Sequence, residues 1–222
     1  MLLPAGPASP GRDILVFDID SQTLQASQER LLPLVRDGEA GSDSARAAVD
    51  EFCALLYERT AEVCGLRPPA AGRGDLIVHG PGQPSTAFNF DTGAFMGLHI
   101  DNHQDLPLDE RERARTLCAV NLGFTERYLH FVNLPVSELL ELLAERGVAA
   151  PSRAEQLKDL FLARFPDYPV IRLALLPGHA YICNTQNTIH DGATPEGDLP
   201  DVSFLTMNEF RPVGDRATPV PR

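Results

Sequence analysis

A histidine and an aspartate stand two residues apart in the apolar stretch GLHIDNH (residues 97–103). Because positions i and i+2 of a strand point to the same side, the imidazole of His99 and the carboxylate of Asp101 can converge on one metal ion. A second imidazole must then come from elsewhere in the chain, and His190 is a candidate. Two imidazoles and one carboxylate on one face of an octahedral ion leave the remaining positions open. That arrangement is typical of non-haem iron(II), which must bind both an organic ligand and dioxygen.

His190 follows a proline-glycine turn and a short apolar segment in LPGHAYICNTQNTIHDG (residues 176–192). With this second motif the chain resembles the iron(II)- and 2-oxoglutarate-dependent oxygenase superfamily over roughly residues 75–211, and HIDN (residues 99–102) is most similar to the prolyl-hydroxylase form of the motif. The resemblance implies a double-stranded β-helix core of the jelly-roll or cupin-like type. It also implies that His99, Asp101 and His190 are the metal ligands and catalytic residues, with Fe(II), 2-oxoglutarate and dioxygen as cofactor and cosubstrates.

The resemblance also implies a type of reaction. In the superfamily, 2-oxoglutarate and dioxygen occupy the open metal positions, and oxidative decarboxylation to succinate yields an oxidant that abstracts hydrogen from an unactivated carbon. Hydroxylation is the implied outcome, because Asp101 fills the position that halogenating relatives leave to chloride. His103 is a competing ligand by spacing, but the polar run after Asp101 indicates that the strand has ended. We therefore expect His103 to support the ligands or to contact substrate.

The superfamily usually anchors the far carboxylate of 2-oxoglutarate with an arginine or lysine on the strand after the distal histidine, followed two positions later by serine or threonine. In this chain Asp201 stands where that cation would precede Ser203. Two other residues are the candidates for binding the cosubstrate: Arg115, just before the strand that follows HIDN, and Arg211, the first basic residue after the distal histidine. Arg172 is a weaker third choice. A guanidinium can bind a carboxylate through two parallel hydrogen bonds.

Apolar periodicity predicts a mainly β chain with flanking helices. Short strands are predicted at residues 13–19, 75–79, 87–90, 95–100, 116–122, 128–133, 170–176, 180–183 and 202–210. Their spacing favours a sandwich or barrel. N-terminal helices are predicted at residues 24–35, interrupted by Pro33, and at 43–64; a helical insertion at about 136–165 contains helices at 136–146 and 153–165.

The expected domain organisation is simple. A chain of 222 residues is long enough for one substantial core, and no linker divides it. We expect a mobile N-terminal segment at residues 1–12, a single oxygenase-like domain at 13–211 with its β-helix core at about 75–211, and a C-terminal tail at 212–222.

Composition limits the classes of partner. The formal net charge of -12 argues against a surface that neutralises phosphates, so nucleic acid and anionic membranes are poor partners. No apolar run approaches the roughly 20 residues needed to span a bilayer, and a cytoplasmic protein is expected. The four cysteines are scattered without a CxxC pair, which argues against a zinc knuckle or a disulfide framework.

A small polar metabolite, such as an amino acid or a biosynthetic intermediate, is the expected substrate. The helical insertion and the polar loops at residues 102–104 and 184–187 are expected to roof or line its pocket, and Asn121 and Tyr181 would contact ligand if they face the interior. Turn formation or packing is the alternative role for these residues. Two other functions stay open: an iron oxidase that does not use 2-oxoglutarate, similar to isopenicillin N synthase, and a non-enzymatic cupin-like binding module.

Overall fold

A computed structural model describes residues 9–36, 43–68 and 73–213, in which the chain is mainly β with flanking helices. The strands of these ranges are β1 (Leu15–Asp18), β2 (Leu66–Arg67), β3 (Gly74–His79), β4 (Phe88–Asn89), β5 (Ala94–Phe95), β6 (Thr116–Asn121), β7 (Arg127–Pro135), β8 (Ile171–Leu175), β9 (His179–Cys183), β10 (Thr188–Ala193), β11 (Asp201–Asn208) and β12 (Arg211–Pro212). The helices of the same ranges are α1 (Ser21–Arg36), α2 (Asp43–Cys64), α3 (Val136–Glu145) and α4 (Ala154–Arg164), with a 3₁₀ helix at Leu108–Arg113. None of them is long and apolar enough to cross a membrane.

Two antiparallel sheets form the body of the fold. The larger has the strand order β1-β9-β6-β11-β3, and the smaller has the order β10-β7-β8. Two short ribbons accompany them, one between β12 and β2 and the other between β4 and β5. Apolar side chains from both sheets meet in a buried cluster that contains Leu129, Phe131, Leu175, Ala119, Tyr181 and Cys183. The two sheets therefore face each other across a common interior.

Helices α1 and α2 cover the outer face of the larger sheet. Phe52 of α2 meets Phe204 of β11 edge-on, with ring centroids 4.7 Å apart, in a cluster that also contains Leu31 of α1. Helix α2 is found at the predicted residues. Helix α1 begins at Ser21 and continues through Pro33, so the predicted interruption is wrong. The proline removes one hydrogen bond near the end of the helix, but the buried apolar face around Leu31 holds the last turns in place.

Helices α3 and α4 form within one residue of the helices predicted at 136–146 and 153–165, and they lie on the outer face of the smaller sheet. Leu139 and Leu143 of α3 pack with Phe161 of α4, and all three side chains are fully buried. The same cluster contains Val132 of β7 and Ile189 of β10. The insertion therefore packs against the outer side of the strand that carries His190.

Two strand predictions around the candidate ligands are wrong. The strand predicted at residues 95–100 ends at Phe95, because Gly97 adopts a φ of 64°, in the left-handed region that breaks an extended strand. Strand β10 was not predicted, because the polar sequence TIHDGA lacks the alternation typical of a strand. The ribbon between β2 and β12 is likewise too short to leave a periodic signal.

Residues 9–12, expected to be mobile, are held against the body of the protein. The carbonyl of Gly11 accepts hydrogen bonds from the side chains of Asn187 at 2.9 Å and Asn184 at 3.2 Å. Arg12 forms an ion pair with Glu138 of α3 at 2.5 Å. The rest of the expected mobile segment, residues 1–8, and most of the expected tail, residues 214–222, lie outside the described residues.

Candidate metal centre

His99 and His190 are joined through their backbones in an isolated antiparallel bridge. The N–H of each residue donates to the carbonyl of the other, both at 2.9 Å. Residues directly opposite each other in an antiparallel pair present their side chains on the same face. The two imidazole rings accordingly lie side by side, with centroids 4.5 Å apart.

Asp101 meets the two imidazoles from outside any strand. Its N–H donates to the carbonyl of Thr185 at 3.1 Å, which ties it to the loop before β10. Its Oδ1 lies 3.3 Å from Nε2 of His99, and its Oδ2 lies 3.8 Å from Nε2 of His190. One ligand atom from each of the three residues lies within 4.8 Å of the others. The predicted triad thus comes together through a backbone bridge and a loop contact, whereas the sequence argument relied on a continuous strand.

The second ring nitrogen of each histidine faces a backbone carbonyl. Nδ1 of His99 lies 2.8 Å from the carbonyl of Gly97, and Nδ1 of His190 lies 3.1 Å from the carbonyl of Thr188. Because a carbonyl can only accept, Nδ1 carries a proton in both rings, and each Nε2 can bind a metal once His99 has released the Nε2 proton that it donates to Asp101. Such hydrogen bonds orient histidine ligands in metal sites. Two oriented imidazoles and one carboxylate fit an Fe(II) ion.

Burial and hydrogen bonding set the charges of the triad. Burial raises the pKa of Asp101, but hydrogen bonds from His103 and His99 outweigh it and hold this pKa well below its usual range. Burial lowers the pKa of His190. Burial also opposes protonation of His99, but the hydrogen bonds to Asp101 and to the carbonyl of Gly97, together with the charges of Asp101 and Asp191, outweigh it and raise the pKa of that imidazole. An ionised carboxylate and a neutral His190 are the forms that bind a metal.

His103 contacts Asp101 from the solvent side. Its Nε2 lies 3.1 Å from Oδ2 of Asp101, and its side chain is 50% exposed. The hydrogen bond to Asp101 raises the pKa of His103, although burial partly opposes it. This contact agrees with the expectation that His103 supports a ligand.

Arg111 fixes the backbone of the site, and sequence reasoning does not single it out. Its guanidinium is buried and donates to the carbonyl of Asp101 at 2.6 Å and to the carbonyl of Gln186 at 3.3 Å. It also donates to the side-chain oxygen of Asn102 at 2.5 Å. Arg111 therefore clamps the segment that bears Asp101 to the loop before β10. It lies in the charged run LDERER (residues 108–113), which reads as a solvated surface until the tertiary contacts are known.

The arginines expected to anchor 2-oxoglutarate lie in different places. Arg115 lines a cavity that also reaches Asp101. Arg211 is not brought to the triad, because it lies in the ribbon of β12 and β2 and its guanidinium binds Glu209 at 2.7 Å. The guanidinium of Arg172, the weaker choice, stacks on the ring of Tyr128 in the smaller sheet, with its central carbon 3.6 Å from the ring centroid.

A buried arginine missed by sequence reasoning occupies the interior between the sheets. Arg127, the first residue of β7, donates through Nη1 to Oγ of Ser203, and Nη1 lies 3.4 Å from Oδ2 of Asp201. Its Nε is buried without a hydrogen-bond partner among the described residues. The resemblance described above implies a cation at the position of Asp201 and a hydroxyl at that of Ser203. In this chain a guanidinium reaches the same place from the opposite sheet.

Arg127 faces the same interior space as the triad. A Cβ on Gly192 would lie 3.1 Å from Nη2 of Arg127 and 2.2 Å from Oγ1 of Thr86, so only glycine fits between them. Gly192 follows His190 by two residues on β10 and points to the same side of the strand. Tyr181, buried between the sheets, lies within electrostatic reach of both Arg127 and Asp101, and burial raises its pKa strongly.

Most of the polar residues expected to contact a ligand form hydrogen bonds to other groups of the protein instead. The side-chain nitrogen of Asn121 donates to the carbonyls of Thr125 and Leu175, both at 2.8 Å, and its oxygen accepts from the N–H of Gly123 at 2.9 Å. The side chains of Asn184, Gln186 and Asn187 are buried and hydrogen-bonded to protein groups. The alternative role in turns and packing is therefore correct for these residues, and a ligand-lining role is wrong for them.

A cavity of about 620 Å³ opens beside the triad. Asp101 and His103 line it, together with Arg73, Asp75, Arg115, Leu117, Leu205, Thr206, Met207 and Asn208. Its volume falls within the range of small-molecule sites.

Comparison with known proteins yields structural neighbours only. No protein-family model matches the sequence, and no curated protein matches it. AviO1 from Streptomyces viridochromogenes is 15% identical, with a TM-score of 0.51 over 96% of this chain and 96% of that one. At this identity the likeness establishes a shared fold.

Two further solved structures, with lower TM-scores, carry names that state an activity. A Pseudomonas putida prolyl-4-hydroxylase is 13% identical, with a TM-score of 0.45 over 88% of this chain and 87% of that one. The Kdo hydroxylase KdoO, named a non-heme Fe(II) alphaketoglutarate dependent dioxygenase, is 14% identical, with a TM-score of 0.41 over 90% of this chain and 81% of that one. The chain therefore shares its fold with AviO1, and an iron- and 2-oxoglutarate-dependent oxygenase is among its structural neighbours.

Proposed function

We propose that this chain is a non-haem iron(II) oxygenase that uses 2-oxoglutarate to hydroxylate a small polar metabolite. The observation that carries the proposal is the convergence of His99, Asp101 and His190, with both Nδ1 atoms bonded to carbonyls and both Nε2 atoms turned toward the carboxylate of Asp101. In this proposal residues 13–211 form one domain with a double-stranded β-helix core. The two facing sheets and the fold shared with AviO1 support that architecture.

The residues of the chain would hold the metal and its ligands in a fixed geometry. His99 and His190 would bind through Nε2, and Asp101 through one carboxylate oxygen while His103 and Arg111 hold its position. When bound, Fe(II) would supply the reaction with dioxygen that oxidises 2-oxoglutarate to succinate and the substrate to its product. These side chains would orient the reactants beside the cavity that Asp101 and His103 line.

We further propose that Arg127 binds the far carboxylate of 2-oxoglutarate, in preference to Arg115 or Arg211. Its unpartnered Nε supplies a buried donor, and its place against Gly192 puts it on the same interior side as His190. Ser203 Oγ lies beside the guanidinium. Charge-assisted hydrogen bonds of this kind are the strong ones in a protein interior.

A second candidate is an iron oxidase that does not use 2-oxoglutarate. Asp201 already pairs with Arg127, and this carboxylate reduces the positive charge available to a second anion. The same triad would serve either reaction.

Succinate formation separates these functions. Wild-type protein loaded with Fe(II) and supplied with 2-oxoglutarate and dioxygen is expected to release succinate, and the matched Asp101→Ala variant is expected to release none. Iron uptake without succinate would favour the oxidase. A chain that takes up no iron would be a binding module, and the proposal would then fail.

A further inference from the structure

The cavity beside the triad carries two arginines that the proposed cosubstrate does not use. Arg73 and Arg115 lie on its wall, and both side chains are exposed to it. Neither forms an ion pair with a described carboxylate, whereas Arg113 nearby pairs with Glu110 at 3.2 Å. In a chain with a net charge of -12, unpaired guanidiniums beside a reaction centre indicate a site for an anion.

Strand register places this pair at a different end of the interior from Arg127. Ser203, Leu205 and Met207 alternate along β11 and share one face of the strand. Arg127 contacts Ser203, and Met207 lies opposite Leu117 in the register of β11 and β6, two residues from Arg115. Ser203 and Met207 are about 13 Å apart at the rise of a strand. A five-carbon dicarboxylate is too short to bind the metal and fill both places, so Arg115 is left for another ligand.

The other charges of the cavity limit the kind of anion. Asp75 lies opposite Leu205 in the register of β3 and β11 and lines the same wall. Asp101 borders the cavity on the triad side. The two carboxylates offset the charge of the two guanidiniums, which disfavours a polyphosphate, but each guanidinium can still bind a single carboxylate. Apolar side chains between them, Leu117 and Leu205, suit a short carbon skeleton.

We infer that the oxidised substrate is a small carboxylic acid whose carboxylate binds Arg115, with Arg73 as a second cationic contact. This inference rests on the proposed function, because it assigns the cavity to the substrate of that reaction. Bound in this way, the carbon skeleton lies along the wall of β6 and β11, and its far end approaches Asp101. Arg115 is suited to the role because its own backbone is fixed: its N–H donates to the side-chain oxygen of Gln104 at 2.7 Å.

Binding to the metal-free protein tests the inference without requiring turnover. The probes are a panel of small carboxylic acids, including amino acids and excluding 2-oxoglutarate, each paired with its own primary amide and measured by ligand-observed NMR. We expect acids to bind and their amides to bind about tenfold or more weakly, since a charge-assisted hydrogen bond is lost. Arg115→Gln and Arg73→Gln should each lower the affinity for the acids that bind the wild type, and the matched control Arg113→Gln should leave that affinity unchanged.

Two results would overturn the inference. One is a panel in which every acid has the same affinity for the wild type and for Arg115→Gln, or in which the amides bind as tightly as the acids. The other is an increase in the KM for 2-oxoglutarate in Arg115→Gln, which would make Arg115 the cosubstrate anchor. Failure of the proposed function is a separate result, because it appears as the absence of iron-dependent succinate and leaves the binding measurement intact.

Discussion

Arg127 and Asp201 form an ion pair that links the two sheets across the interior, with Nη1 3.4 Å from Oδ2. The arginine begins β7 of the smaller sheet and the aspartate begins β11 of the larger. Both side chains are buried, and the Nε of the arginine has no partner among the described residues. The pair therefore holds a guanidinium on the interior side that also carries His190, and its Nε donor has no partner among the described residues.

Arg127→Met should raise the concentration of 2-oxoglutarate needed for half-saturation about tenfold or more, because a carboxylate loses its charged partner. Iron binding without the cosubstrate should stay close to wild type. The measurement is a spectroscopic titration of the anaerobic Fe(II) protein with 2-oxoglutarate. Since the single change leaves Asp201 unpaired, Arg127→Met/Asp201→Asn keeps the test open if the single variant fails to fold. Unchanged affinity in a folded variant would remove Arg127 from the cosubstrate site.

Arg111→Met should weaken iron binding by about 10–100-fold, because the clamp on the Asp101 backbone is lost. Arg111→Lys should recover part of the affinity, since an ammonium can still donate to one carbonyl. Arg113→Gln is the matched control on the same 3₁₀ helix, with a side chain that is 79% exposed. Equilibrium iron titration of the folded proteins measures the effect. Wild-type affinity in Arg111→Met would limit this arginine to a role in stability.

The residue types of the site are readable from the sequence, but the contacts that assemble it are not. The spacing of His99 and Asp101 and the turn before His190 carry the resemblance that predicts the triad. Their convergence depends on the His99–His190 bridge, which joins distant segments and leaves no local pattern. Arg127 was missed because the predicted strand began one residue later, at Tyr128. Including Arg127 would have placed it on the buried face with Leu129 and Phe131.

Local periodicity predicted the supporting elements better than it predicted the site. Helix α2 and the helices of the insertion carry apolar residues at helical spacing, and their ends lie within one or two residues of the predicted ones. Strand β10 has no such periodic pattern, because tertiary contacts bury both of its faces. The loop residues Asn184 and Asn187 were misread for the same reason, since their partner Gly11 is remote in sequence.

Asn121→Ala should destabilise the fold by about 1–3 kcal/mol, because it removes three hydrogen bonds and leaves buried carbonyls without a partner. The KM for 2-oxoglutarate should not change. Asn133→Ala, at an exposed position of β7, should alter the free energy of unfolding by about 0.5 kcal/mol or less. Chemical denaturation compares the two. A stable Asn121→Ala protein with an altered KM would return this residue to the ligand site.

Leu139→Ala in α3 should cost about 2–5 kcal/mol of unfolding free energy, because the side chain is fully buried behind β7 and β10. Leu160→Ala in α4, where the side chain is 38% exposed, should cost about 1 kcal/mol or less. Thermal and denaturant unfolding measure both. Equal losses in the two variants would mean that the insertion does not pack on the smaller sheet as described.

Anaerobic titration with Fe(II) tests the metal centre most directly. Wild-type protein should bind one iron per chain, and His99→Ala, Asp101→Ala and His190→Ala should each reduce the affinity by orders of magnitude while the proteins remain folded. His179→Ala is the matched control, since this histidine lies 3.5 Å from Asp18 at the start of β9 and takes no part in the triad. Iron bound with wild-type affinity by the three triad variants would contradict the account.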